Sequence, residues 1–158
     1  MDGDGNCFFR SIAVIISGQQ SQHGQLRQSV ANHIRSNYES IFAHADAVVN
    51  DIEAACKCAD NISKLGTWAA EDAILATAHY LQRAILVHVG SKQSSPLAYT
   101  PTNVSPAKEP IRIAFYEQGH YRPVFRRDMA SHDSASSLDA STDDMMAAPS
   151  GNEPSPAN

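Results

Sequence analysis

The chain lacks any run approaching the ~18 to 20 consecutive apolar residues that a bilayer-spanning helix needs. Its start is acidic and glycine-rich, not basic and then apolar, so no signal peptide is expected. Cysteine is scarce. Three residues, an odd number without regular spacing, exclude a disulfide framework and favour a reducing compartment, with the cytoplasm as the expected location. A basic excess is missing too. Residues 128–158 hold six acids (Asp128, Asp133, Asp139, Asp143, Asp144 and Glu153) and no Lys or Arg, which leaves 11 acids against 12 bases in residues 1–127. That near-neutral balance carries no footprint for nucleic acid, so neither nucleic acid nor a membrane is an expected partner.

What remains is ample for one core: 158 residues, of which 42% are apolar. The stretch around which it is organised is Asp2-Gly3-Asp4-Gly5-Asn6-Cys7-Phe8-Phe9-Arg10-Ser11, a glycine-punctuated turn running into an apolar helix. A cysteine usually behaves as a small buried hydrophobe, but a core cysteine has no need of such a turn. The unpaired N–H groups and dipole at a helix N-terminus favour a thiolate, the form that acts as a nucleophile. Glycines in the same turn can aim N–H groups at a developing oxyanion. Only six residues precede Cys7, so the turn has little support from upstream: either the chain is a piece of something longer, or the domain has a minimal N-terminal edge.

Helix periodicity is predicted from about Cys7 to Ser17, with Phe8, Ile12, Ile15 and Ile16 inward, Arg10 and Ser11 on other sides, and Gly18 as the stop. A second helix is expected over roughly His23 to Tyr38 on the stripe Leu26, Val30, Ile34, with His33 beside it. Residues 39–64 read as a less committed helical region with Ile41, Phe42, Val48, Val49 and Ile52 as apolar contacts. Cys56 and Cys58 there lack the second ligand pair of a zinc site and read as ordinary thiols. Gly66 breaks the pattern, Thr67 is the expected N-cap, and a third helix runs to about Gln82 with Trp68 as a core or helix-start anchor. Strands are expected at residues 84–89 and 111–116, with a short one near 97–100. A return strand over 120–125 follows the turn Glu117-Gln118-Gly119 as a hairpin partner and opens on His120. Residues 128–158 are too poor in apolar residues to offset ordering entropy and read as a disordered acidic tail.

Three blocks fall in a recognisable order: Asp4-Gly5-Asn6-Cys7 followed by Phe9-Arg10, then Gly66-Thr67-Trp68-Ala69 with Glu71 opening a helix, then Gly119-His120-Tyr121. Together, over about residues 2–126, they resemble the ovarian tumour (OTU) family of cysteine proteases, mostly deubiquitinases. The resemblance implies a papain-like α/β (α+β) domain over residues 1–127, a small central sheet flanked by helices, with the nucleophile at the N-terminus of helix 1. It implies Cys7 as nucleophile, His120 as base and acid, and an oxyanion hole from Asp4, Gly5, Asn6 and the Cys7 amide. Trp68 and Tyr121 would be structural or would line the substrate approach, and region 39–64 would face ubiquitin. Ubiquitin, its chains and ubiquitinated proteins are the implied partners, and no metal or organic cofactor is implied. One position departs from the pattern. Many relatives carry Asp or Asn two residues after the histidine, and here that residue is Arg122, which has no acceptor to offer an imidazole N–H. An acid from elsewhere (Asp2, Asp4 or Glu117) could stand in, and Asp4 joins Cys7 and His120 in the expected catalytic set. Otherwise the pair works as a Cys–His dyad, or the site is impaired. The rival functions are a ubiquitin-binding module without catalysis and a cysteine peptidase processing a polyprotein.

Overall fold

The computed structural model describes residues 4–43, 49, 51–90, 95–102, 108–116 and 119–127. The chain divides between Phe125 and Arg126, and every helix and strand described lies in the first unit. The expected tail 128–158 lies outside the described residues, as does Val48.

Four α-helices precede the sheet in sequence: α1 (Cys7–Ser17), α2 (His23–Phe42, after a short 3-10 turn), α3 (Ile52–Ser63) and α4 (Glu71–Leu81). The strands are β1 (Ile85–Val89), β2 (Leu97–Tyr99), β3 (Ile111–Tyr116) and β4 (His120–Pro123), ordered β2-β1-β3-β4. β1 runs parallel to β3, while β2 and β4 pair antiparallel at the two edges. The register sets Tyr116 opposite His120 and Phe115 opposite Tyr121. The buried residues Ile85, Val87, Ile111 and Ile113 alternate along β1 and β3 and face the helices through one core with Phe8, Ile12, Val30, Ile34 and Ile74. This is the mixed α+β arrangement expected, a small sheet with helices and the first cysteine at the head of α1.

Several local expectations are corrected. α1 is buried on more than one side. Phe9, Ser11 and Ala13 are fully covered, whereas Ile16 is 41% exposed. Ser11 tolerates burial because its hydroxyl donates to Cys7 O (2.8 Å) and to Tyr121 O (3.2 Å). α2 continues past Tyr38 to Phe42, through a kink at Asn37 (φ −138°), whose Nδ2 bonds back to His33 O. Such a side chain competes with the helical ladder, and the buried Ile41 and Phe42 draw the chain onward. His33 Nε2 meets His79 Nδ1 at 2.9 Å, joining α2 to α4. Ile52 is exposed and is no core contact. α3 begins at an Asp51 cap that accepts from Ala54 N (2.7 Å).

The third predicted helix begins at Glu71, not at Thr67. Ala70 holds the cap position without a side-chain bond, and Glu71 and Asp72 supply the negative charge that suits the first turn. Thr67 is committed elsewhere, its N–H donating to Lys64 O and its carbonyl accepting from Arg27. Trp68 is therefore in a loop and 49% exposed, not in the core. The last strand ends at Pro123, before the exposed Phe125.

Candidate active site

The first turn of the described chain is built around one carboxylate. Asp4 accepts from the Asn6 N–H (3.1 Å) and the Asn6 Nδ2 (2.9 Å). It also accepts both terminal nitrogens of Arg10, at 3.0 and 2.7 Å. The bond from the Asn6 side chain, chiefly, and the backbone bond and Arg10 beside it hold the carboxyl down at about 2. Asn6 then reaches across the molecule, its Oδ1 accepting from Gly66 N at 2.9 Å. Gly5 sits at φ 76°, and a Cβ there would overlap the Gly66 carbonyl oxygen. The two glycine turns are thus pressed backbone to backbone, which explains why both positions read as punctuation.

A cation inside the core completes the arrangement. Arg27 of α2 is 1% exposed. Its guanidinium donates to Gly5 O (2.7 Å), Thr67 O (2.6 Å) and Ile62 O (2.8 Å) and lies 4.4 Å over the Phe9 ring. Burial pulls its pKa below the ordinary guanidinium value, and the negative charges of Asp4 and a Cys7 thiolate oppose that. An arginine next to the stripe Leu26, Val30, Ile34 has the residue type of a solvated position. The signal was present in the spacing, because Arg27, Ala31 and Ile34 share one helical face.

Cys7 follows as the first residue of α1, buried, with its N–H lacking an intrahelical acceptor by its position. The Tyr121 N–H points at Cys7 Sγ over 3.5 Å. Sulfur therefore lies against the peptide unit that joins His120 to Tyr121, 114 residues further along the chain. Ser11 fixes the same pairing from below through Tyr121 O. The Tyr121 ring packs edge-on to Phe8 and tilted to Phe115, and burial, chiefly, pushes its hydroxyl up to about 12. Tyr121 is a structural wedge between α1 and the sheet.

His120 opens β4 directly after Gly119 (φ 73°), and the Trp68 ring lies 3.4 Å from where a Gly119 side chain would begin. The exposed tryptophan thus covers the turn that leads to the histidine. The His120 Nε2 is buried and has no hydrogen-bond partner among the described residues. Asp4, expected to orient this imidazole, has its carboxylate taken by Asn6 and Arg10 instead. Arg122 is no substitute, lying over the Tyr116 ring at 5.5 Å. Asp2 and Glu117 lie outside the described residues. The expected oxyanion set loses one donor, since the Asn6 N–H is held by Asp4. Cys58 donates to Asp72 (3.1 Å), and burial together with that carboxylate pushes it up to about 12.

Residues 2–121 match the OTU-like cysteine protease family. The chain belongs to that family. OTU relatives include the Arabidopsis thaliana OVARIAN TUMOR DOMAIN-containing deubiquitinating enzyme 7, 28% identical over 129 residues that cover 80% of this chain and 32% of that protein. The mouse OTU domain-containing protein 1 is 25% identical over 126 residues, covering 77% of this chain and 26% of that protein. The chain thus spans roughly a third or less of these relatives. The fold is shared with the OTU domain of OTUD1 (TM-score 0.62, 23% identity, 78% of this chain and 81% of that one). It is also shared with an OTU domain solved in complex with ubiquitin (TM-score 0.57, 22% identity, 85% and 77%).

Proposed function

We propose that this OTU domain is a thiol-dependent deubiquitinase that hydrolyses the isopeptide bond after the C-terminal glycine of ubiquitin, acting in the cytoplasm on ubiquitin chains and ubiquitinated proteins. The observation that supports the reading is the approach of the His120–Tyr121 peptide to Cys7 Sγ, and the His120 Nε2 is itself buried with no hydrogen-bond partner among the described residues. In this reading His120 takes the thiol proton and the thiolate attacks the carbonyl carbon. The Cys7 amide, at the head of α1, donates to the oxyanion. As the tetrahedral intermediate collapses, the C–N bond breaks and His120 returns the proton to the departing lysine amine. Water, deprotonated by His120, then attacks the thioester, releasing the ubiquitin carboxylate and restoring the thiol. The pair works as a dyad, with Asp4 holding the turn and not the imidazole. Trp68, over Gly119, lines the approach.

The test is incubation with a panel of di-ubiquitins beside Cys7→Ala and His120→Ala. Cleavage abolished in both variants is the expected result, and equal cleavage by either variant sinks the reading. A second reading is favoured by one observation, the Arg122 that stands where an orienting acid is expected: a domain that binds ubiquitin without cutting it. A ubiquitin probe carrying an electrophile at its C-terminus separates the two, because only a competent Cys7 becomes covalently labelled.

A further inference from the structure

A buried cation with no carboxylate partner is an expensive thing for a small domain to keep. Desolvating a charge is unfavourable, and an apolar side chain of like volume would avoid that penalty. Among the described residues, Arg27 is such a cation. Its hydrogen-bond partners there are three backbone carbonyls, and its buried Nε has no acceptor among them. Those carbonyls come from three separate segments, namely the turn before Cys7, the end of α3 and the loop that carries Trp68. The Gly5–Asn6 peptide is held from both sides, its carbonyl by Arg27 and its N–H by Asp4. The next peptide unit carries the Cys7 N–H. A peptide clamped in this way cannot rotate, so the direction of the following N–H is fixed before any substrate arrives.

We infer that Arg27 is a positioning residue: from within the core it locks the turn before Cys7 to the Thr67–Trp68 loop, and so sets the rate of the chemical step and not the affinity for substrate. The inference rests on the hydrolase reading for its kinetic arm, and on geometry alone for its structural arm. Lysine at this position would keep the charge but lose the planar fork that spans three acceptors.

The experiment is Arg27→Lys, assayed with a fluorogenic amide of the ubiquitin C-terminus and, in the same preparation, by amide hydrogen exchange. The expected kcat is lower by about tenfold to a hundredfold with KM within about twofold, as a displacement on the order of 1 Å in the reacting groups costs. The Gly66 amide, bonded to Asn6 Oδ1, should exchange at least about tenfold faster, while the Ile111 amide, bonded to Ala84 O in the sheet, should not change. An unchanged kcat, or equal acceleration at Gly66 and Ile111, overturns the inference in favour of general packing. Should Arg27→Lys fail to fold, exchange in the unmodified chain decides. Opening of the Gly66, Thr67 and Arg10 amides at one common free energy supports the lock, and separate openings overturn it. If the unmodified chain leaves the ubiquitin substrate intact, the hydrolase reading falls, and the exchange arm still decides whether Arg27 joins the two loops.

Discussion

The two halves of the site are held to very different degrees. At the thiol end, Asp4 holds Asn6 and Arg10, Asn6 holds Gly66, Arg27 holds the Gly5 carbonyl, and Gly5 and Gly66 leave no room between them. At the imidazole end, His120 is set by its strand register and by Gly119 lying against Trp68, but its ring nitrogen Nε2 has no hydrogen-bond partner among the described residues. The contrast teaches where improvement is possible. A loop this over-determined can only be damaged by substitution. If His120 is the base, as proposed, it can still gain an orienting partner, because such a partner fixes tautomer and ring direction.

The largest effect should come from breaking the held side. Gly5→Ala places a methyl group on the Gly66 carbonyl at a positive φ, and should cost about 2–4 kcal/mol of stability, read as a lower urea midpoint. Next, His120→Ala should lower kcat by roughly 10²- to 10⁴-fold in hydrolysis of a ubiquitin C-terminal amide while leaving the urea midpoint nearly unchanged. The comparison is sharpened by Arg122→Asp. A carboxylate two residues after the histidine should raise kcat by about tenfold, and a fall in kcat would mean that the strand aims position 122 away from the ring.

Asp4→Asn should weaken the turn in a pH-dependent way. The Asp4 carboxyl sits at about 2, below its unfolded value of 3.8, so its contribution is fully present above about pH 4 and is lost as pH falls through 2. The unmodified chain should lose protection of the Gly66 amide across that window, and Asp4→Asn should show the lower protection already at neutral pH. The smallest effect concerns the other thiol. Cys58, pushed up to about 12, should escape a small alkylating reagent at pH 8, and Cys58→Ser should change stability by about 1 kcal/mol or less, as a thermal melt would show.

Much of this was legible in the residue string because the informative features are local. The glycine turn before Cys7, the alternation in 111–116 and the Gly119–His120 turn each sit within a few positions, and the helix and strand types follow from them. What escaped was long-range. Ser11 looks like a surface residue of a helix until β4 arrives to accept its hydroxyl bond. Thr67 looks like a cap until Arg27, 40 residues earlier, takes its carbonyl. Asp4 looks like a stand-in for the missing acid until its two oxygens are found on Asn6 and Arg10. In each case a polar group was read by its neighbours in sequence, and its partner came from another element.

The 114-residue span between Cys7 and Tyr121 has a consequence for the chain as it is made. The thiol leaves the ribosome well before the strand that completes its surroundings, which comes out near the end of the folded unit. Until β4 pairs with β3, the sulfur lacks its Tyr121 contact and the proposed base. On the proposed reading, a nascent or prematurely terminated polypeptide would therefore hold Cys7 without the means to use it, and competence would begin only when that last strand docks.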